Sequence, residues 1–266
     1  MRAVKALVLA RGRGSRMRAG DPAAVLTGDQ QAAAKAGWKA LMPIAGRPFL
    51  DYLLSALADA GCVDVALVIG PDQRRDFETY ATRRVRLHLV EQAEPRGTAN
   101  AVWAAREWVG TDPFLVMNGD NLYPTPALRG LGALDGPGLP AFERDELIAS
   151  SNIPPHKIAA FAILDVSPAG ELISIVEKPP TVVERPGRPV LVSMNAWRFD
   201  ARVLEACRDA PLSPRGEHEI ASAVQLAIGR GVRFAAVPAV GPVLDLSGPS
   251  DVADVTRRLT GVEPRP

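Results

Sequence analysis

The sequence predicts an α/β fold: a Rossmann-like, doubly wound and mostly parallel sheet, with a smaller antiparallel lobe added in the second half. Three observations lead there. Apolar runs at 7–10, 65–69 and 114–117 are continuous rather than alternating, the pattern of strands covered on both faces. Helical patterns separate these runs, and strands that alternate with helices imply parallel pairing. In the second half the order changes, because Ile158 to Val166 and Leu172 to Val176 read as neighbouring strands joined by the turn Ser167-Pro168-Ala169-Gly170. A direct strand-to-strand connection of this kind marks antiparallel pairing.

In order, the first strand at 4–10 breaks into Arg11-Gly12-Arg13-Gly14-Ser15-Arg16. Glycines let the backbone bend sharply and approach a ligand, and successive N–H groups in such a turn form an anion-binding concavity. The loop therefore suits the phosphates of a nucleotide; a basic surface turn is the plain alternative. Spacing excludes two common phosphate loops. The dinucleotide fingerprint needs a third glycine where Met17 stands, and no Gly-Lys pair exists for a Walker loop.

Residues 18–38 read as a mobile flap with one short helix over 29–36, stopped at Gly37. A turn at Gly46-Arg47-Pro48 starts a helix that runs through about Ala60. Its Phe49, Leu50, Leu53, Leu54 and Leu57 recur at helical spacing, Pro48 suits the first turn, and Gly61 caps it. Next come a charged helix near 72–83, a strand at 85–90, and a helix opened by Gly97 that reaches Trp108. The strand Phe114 to Met117 then ends at Asn118-Gly119-Asp120-Asn121. Beyond it, Val190 to Phe199 reads as one strand, with helices at 201–209 and 217–229. Val232 to Val237 and Val243-Leu244 are short strands, and a last helix begins at Val252. Pro179 to Pro189 reads as an exposed loop.

The bulk properties narrow the function. With 31 basic and 30 acidic residues the net charge is +1, so no general attraction to nucleic acid or membrane is implied. Cys62 and Cys207 lack metal-type spacing and read as buried small hydrophobes. The N-terminal apolar run is too short for a signal peptide and no run reaches membrane-spanning length, which describes a soluble protein of a reducing, cytoplasmic compartment. The chain has no Gly-x-Ser-x-Gly elbow, and its tryptophans Trp38, Trp103, Trp108 and Trp197 read as packing.

In a doubly wound sheet, ligands bind beyond the carboxyl ends of the strands. Three candidates lie there: the basic loop, Gln92-Ala93-Glu94-Pro95-Arg96-Gly97, and Asp120. Asp245 offers a second carboxylate. Two aspartates facing a phosphate loop suit Mg2+, which is commonly held by one or two carboxylates plus phosphate oxygens. Each aspartate alone also reads as a turn or capping residue.

Together these pieces resemble the sugar-1-phosphate nucleotidylyltransferases (NDP-sugar pyrophosphorylases), especially those making dTDP- or UDP-glucose. Leu9-Ala10-Arg11-Gly12-Arg13-Gly14-Ser15-Arg16-Met17 is similar to the family's opening Leu-Ala-x-Gly-x-Gly-Thr-Arg-Leu. Trp38-Lys39-Ala40-Leu41-Met42-Pro43-Ile44 is similar to its Pro-Lys-x-Leu-x-Pro-Ile, followed by Gly46-x-Pro48. Gln92-x-x-Pro95-x-Gly97-Thr98-Ala99 resembles the base-reading segment, Asn118-Gly119-Asp120-Asn121 the metal-binding strand end, and Glu177-Lys178-Pro179 the sugar-phosphate motif. Asn195-Ala196 resembles the sugar-contacting strand, and Asp245-Leu246-Ser247-Gly248 the second metal site. The departures are Arg11 for a small residue, Trp38 for a proline, a loose run after Asp245, and a longer stretch from Arg16 to Lys39.

The resemblance implies a nucleotide-diphospho-sugar transferase fold in one domain. Residues 1–125 would form the nucleotide-binding half, 126–250 the sugar-phosphate-binding half, and 251–266 a C-terminal helix and tail. It implies that a nucleoside triphosphate, dTTP or UTP favoured, condenses with a sugar-1-phosphate, glucose-1-phosphate favoured. Arg16, Lys39 and Asp120 would be catalytic, and Mg2+ would lie on Asp120 and Asp245. Leu9, Ala10, Gly12, Gly14, Ser15, Gln92, Pro95 and Gly97 would bind the nucleotide. Glu177, Lys178 and Asn195 would bind the sugar phosphate. A homo-oligomer is compatible with this, and neither nucleic acid nor membrane is an expected partner. The alternatives left open are GTP or CTP with a mannose, heptose or cyclitol phosphate, and a non-catalytic nucleotide-sugar-binding homologue.

Overall fold

A computed structural model describes residues 4–12, 14–158, 161–177 and 187–266. The first half runs β1 (Lys5–Leu9), α1 (Ser15–Ala19), α2 (Gly28–Ala36), β2 (Pro43–Ile44), β3 (Arg47–Pro48), α3 (Phe49–Asp59) and β4 (Asp64–Ile69). It continues with α4 (Arg74–Glu78), β5 (Arg86–Glu91), α5 (Thr98–Ala104), α6 (Arg106–Val109), β6 (Phe114–Asn118) and β7 (Asn121–Leu122). The second half begins with α7 (Thr125–Gly132), β8 (Gly138–Glu143), α8 (Arg144–Ser150), α9 (Pro155–Ile158), β9 (Ala162–Val166) and β10 (Leu172–Val176). It closes with β11 (Leu191–Ser193), β12 (Ala196–Phe199), α10 (Ala201–Asp209), α11 (Ile220–Gly229), β13 (Ala235–Ala239), β14 (Leu244–Asp245) and α12 (Asp251–Leu259).

One sheet organises the molecule, in the order β10-β9-β11-β8-β12-β6-β1-β4-β5, with β13 added alongside β8. The strands β6, β1, β4 and β5 pair in parallel; β6, β1 and β4 carry the apolar runs covered on both faces, and β5 is the exposed edge strand. Alternate residues feed two cores. Leu7, Val68, Phe114 and Val116 point to one face, and Ala6, Val8, Leu67, Leu115 and Met117 to the other. The expected antiparallel part is added to the parallel one through β12, which pairs with β6 and extends the same sheet.

Several predicted elements are shorter or broken. The helix expected over 72–83 is a 3-10 turn at Pro71–Gln73 followed by α4, which stops at Glu78. Tyr80 is drawn off by donating to the buried carboxylate of Asp51, and Thr82 closes a turn onto the Val85 carbonyl at 2.7 Å. The helix expected to reach Trp108 breaks at Ala105 into α5 and α6. Ile158 ends α9 instead of opening a strand, since Pro155 presets the first turn of that helix. The strand expected over Val232 to Val237 lies at β13, Ala235–Ala239. No element had been expected over 125–157, where α7, β8, α8 and α9 fold.

The single strand expected from Val190 to Phe199 is interrupted at Met194 and Asn195. β11 pairs Leu191 with Glu143 of β8, whereas β12 pairs Arg198 with Gly138. The interruption therefore faces Pro140, which has no N–H for the ladder. Asn195 takes φ 55°, and the Tyr123 hydroxyl donates to Met194 O at 2.8 Å and lies 3.4 Å from Asn195 O.

The expected flap has its own packing. Thr27 and Gln30 form a capping box at the start of α2, and Gln30 Nε2 donates to Pro43 O at 2.9 Å. Met17, Ala33 and Ala34 share a small third core with Met42, Ile44, Leu244, Leu246, Val252 and Val255. Cys62 and Cys207 are buried, as expected, and burial pushes the Cys62 thiol up to about 12. Trp197 is fully buried, Trp103 and Trp108 pack half-buried against the core, and Trp38 is half-buried on the flap.

Candidate functional site

Strand order fixes where the site opens. From β1 the chain proceeds to β4 and β5 on one side of the sheet and to β6 on the other, so β1 and β6 flank a topological switch point. Gly119 N donates to Leu9 O at 2.9 Å, and a Cβ on Gly119 would stand only 3.1 Å from that oxygen. The strand ends can approach this closely because Gly119 has no side chain.

A cavity of about 470 Å3 opens over this crevice. Leu9, Ala10, Gly12 and Ser15 line it from the first loop, Lys39 from the turn after the flap, Gln92, Pro95 and Gly97 from the loop after β5, and Asp120 from the end of β6. These predicted residues, distant in sequence, meet in one place. Arg11, Thr98, Asn118 and Glu217 also line the cavity.

Charge is concentrated at one end. Lys39 Nζ pairs with Asp120 Oδ2 at 2.8 Å. β14 pairs with β7, placing Asp245 opposite Asn121, and Leu246 N donates to the Asp120 carbonyl at 2.9 Å. The Asp245 carboxylate is buried, accepts from Asn121 Nδ2 at 2.9 Å, and accepts from the Ser247 hydroxyl. Burial first, and then the negative charge of Asp120, push its pKa above the ordinary carboxylate value. Behind it, Asp251 accepts from Ser247 N and Gly248 N and pairs with Lys157 at 2.7 Å. Tyr123 lies buried beside both aspartates; burial and their charges raise its pKa well above 10, so it remains a neutral donor to Met194 O.

The opposite end is held by hydrogen bonds and close backbone packing. Gln92 Nε2 donates to Gly97 O at 3.1 Å and to Asn100 Oδ1 at 2.9 Å, which fixes the amide and leaves Oε1 as the acceptor. Gly97 has φ 105°, and a Cβ there would stand 2.5 Å from His218 O. The second half thus clamps this loop: Ala99 N donates to His218 O at 2.8 Å and Ile220 N to Thr98 Oγ1 at 3.0 Å.

Other predicted residues lie around the cavity without lining it. Gly14 has φ 57°, and a Cβ would meet Gly37 O at 2.4 Å, so it seats the loop against the flap. Arg16 is exposed on α1 and makes no hydrogen bond among the described residues. Asn195 stands beside the end of β6, one residue before the Ala196–Met117 pair. Glu177 follows Val176, which like Val192 stands opposite Ile163, so it shares the sheet's upper edge with Ser193. The charge of Glu177 also reaches Arg215. Lys178 and Pro179 lie outside the described residues. Arg215 and Glu217 were missed by the sequence reading; their signal was a charged turn, Arg215-Gly216-Glu217, entering the apolar helix α11.

Among the described residues no group of three His, Cys, Asp or Glu side chains forms a closed metal cage, and no helix is long and apolar enough to cross a membrane. Residues 6–132 match the MobA-like NTP transferase domain. The chain is 29% identical to a glucose-1-phosphate thymidylyltransferase of Streptomyces antibioticus, over 98% of its own length and 68% of that relative's. It is 26% identical to the UTP–glucose-1-phosphate uridylyltransferase AglF of Haloferax volcanii, over 96% of each chain. Its fold is that of a UDP-glucose pyrophosphorylase crystallised with UDP-glucose, with a TM-score of 0.76 at 17% identity, covering 98% of this chain and 100% of that one. Sequence relatives and fold agree with the switch-point cavity, and the chain is similar along nearly its whole length to sugar-1-phosphate nucleotidylyltransferases.

Proposed function

We propose that the chain condenses a nucleoside triphosphate with a sugar-1-phosphate, releasing pyrophosphate and forming an NDP-sugar, with dTTP or UTP and glucose-1-phosphate as the favoured pair. The observation that carries this reading is Lys39 paired with Asp120, beside the buried Asp245, at one end of a cavity whose other end is formed by Gln92 and Gly97. The sugar-phosphate oxygen attacks the α-phosphorus as the bond to the β-phosphate oxygen breaks, and the electron pair leaves on pyrophosphate. The nucleophile is already anionic, so no general base is required. Positioning and charge neutralisation carry such a transfer.

The loop of Leu9, Ala10, Gly12, Gly14 and Ser15 cradles the triphosphate, and Arg16 and Lys39 offset charge on the α-phosphate and the leaving group. Gln92, Pro95 and Gly97 address the base. An acceptor-only Gln92 favours bases with a ring N–H, as in uracil, thymine or guanine, over cytosine. Glu177, Lys178 and Asn195 hold the sugar phosphate. In this division of work, residues 1–125 serve the nucleotide, 126–250 the sugar phosphate, and 251–266 close the domain.

The donor set fits a hard divalent cation. Asp120 and Asp245 supply only oxygens, and the repulsion between them is what a cation relieves. Mg2+ on this pair would neutralise phosphate charge in the reaction. Lys39 adds a positive charge of its own beside Asp120.

The test is a pyrophosphate-release panel of five nucleoside triphosphates against several sugar-1-phosphates, with and without Mg2+. Release is expected with UTP or dTTP plus glucose-1-phosphate, only when the cation is present. Release from no pair at all would favour a non-catalytic nucleotide-sugar-binding protein instead.

A further inference from the structure

We infer that Arg11 is the wall that limits the size of the base, restricting the chain to pyrimidine nucleotides; this rests on the nucleotidyl-transfer reading above. A second cavity of about 240 Å3 adjoins the first, lined by Trp38, Asp72 and Gln73 among others, and Arg11, Gly12 and Pro95 line both cavities. Arg11 is therefore a shared partition. Gly12 has no side chain and Pro95 is rigid, so the Arg11 side chain supplies the removable part of that partition.

The guanidinium is held at the base end of the site. Its Nη2 donates at 3.1 Å to the carbonyl of Ala93, the residue after Gln92. Its Nε lies 3.2 Å from where a Cβ on Gly70 would stand, so the side chain lies across the end of β4, where a glycine leaves room for it. Held between Gly70 and Ala93, it closes the space into which the second ring of a purine would extend. With the side chain removed beyond Cβ, the two cavities merge at that end.

The test uses the full chain as wild type, Arg11→Ala and Arg11→Met, each given UTP and GTP with glucose-1-phosphate and Mg2+. The readout is the ratio of kcat/KM for GTP to that for UTP. Arg11→Ala should raise this ratio at least about tenfold, within the discrimination that pocket shape achieves. Arg11→Met, which retains length without charge, should leave it near the wild-type value. An unchanged ratio in Arg11→Ala, or an equal rise in Arg11→Met, overturns the partition, the latter because charge and not bulk would then select the base. Equilibrium binding of UTP and GTP to the same three proteins gives the same ratio without turnover. A chain that binds nucleotides but releases no pyrophosphate would remove the proposed reaction while the binding ratio still decides on Arg11. Binding of neither nucleotide overturns both.

Discussion

Asp245 is the residue at which stability and chemistry pull in opposite directions. Its carboxyl is buried beside Asp120 and takes up a proton more readily in the folded chain than its ordinary value of 3.8 implies. The folded state then binds more protons than the unfolded one as pH rises from that value, so the metal-free protein loses stability through the raised pKa and is level above it. Asp245→Asn removes the slope, because an amide can still accept from Asn121 and donate to the Ser247 oxygen. We expect its metal-free Tm at pH 8 to equal or exceed that of the wild type while pyrophosphate release is lost, as happens where a site is built from mutually repelling groups. A markedly lower Tm in thermal melts across pH would count against this account. Asp120 was legible in the sequence because it follows Asn-Gly at the end of an apolar run. Asp245 was placed beside it only as a second carboxylate and through the family resemblance, since no local pattern carries a contact to Asn121 that spans 124 residues.

At the scale of elements, the ladder around β8 explains most of what was misread. Gly138-Leu139-Pro140-Ala141-Phe142 contains glycine and proline, which argue against a central strand, yet β8 pairs with β13, β12 and β11. The sheet tolerates Pro140 because the chain opposite leaves the ladder at Met194 and Asn195. The carbonyls so released are served by the Tyr123 hydroxyl. Tyr123→Phe leaves a buried carbonyl unpaired and should cost about 1–3 kcal/mol in urea denaturation. Because Asn195 sits in that bend, KM for the sugar phosphate should rise as well. Full retention of stability would show that water replaces the hydroxyl. The apolar strands β1, β4 and β6 were readable because burial on both faces leaves a continuous signature, whereas α4 and α6 end on tertiary contacts of Tyr80 and Lys5 that no local pattern carries.

For the molecule as a whole, the antiparallel part expected in the second half is joined to the parallel part in one continuous sheet. β12 lies between β6 and β8 with Trp197 fully buried at the seam, and Arg198 Nη1 reaches Gly132 O at 2.8 Å. The two halves therefore share a core and should unfold together. Far-ultraviolet circular dichroism and tryptophan fluorescence should give coincident urea transitions. Trp103 and Trp108 report on the first half and Trp197 on the seam, so two separated midpoints would show independent halves. The architecture itself was readable from the change in strand connection after the first half; the seam was not, because it depends on which strand meets β6.

The gap in hydrogen bonding opposite Pro140 has a consequence for how such a protein diversifies. Residues in a paired strand are constrained by their neighbours, and a substitution there propagates through the register. At Met194 and Asn195 the carbonyls answer to a single tyrosine rather than to an adjoining strand, while Met194 stays tied to the core by burial and Asn195 by its left-handed backbone. A change at Asn195 therefore leaves the strand register intact, and its left-handed backbone confines the choice to residues such as asparagine, aspartate or glycine.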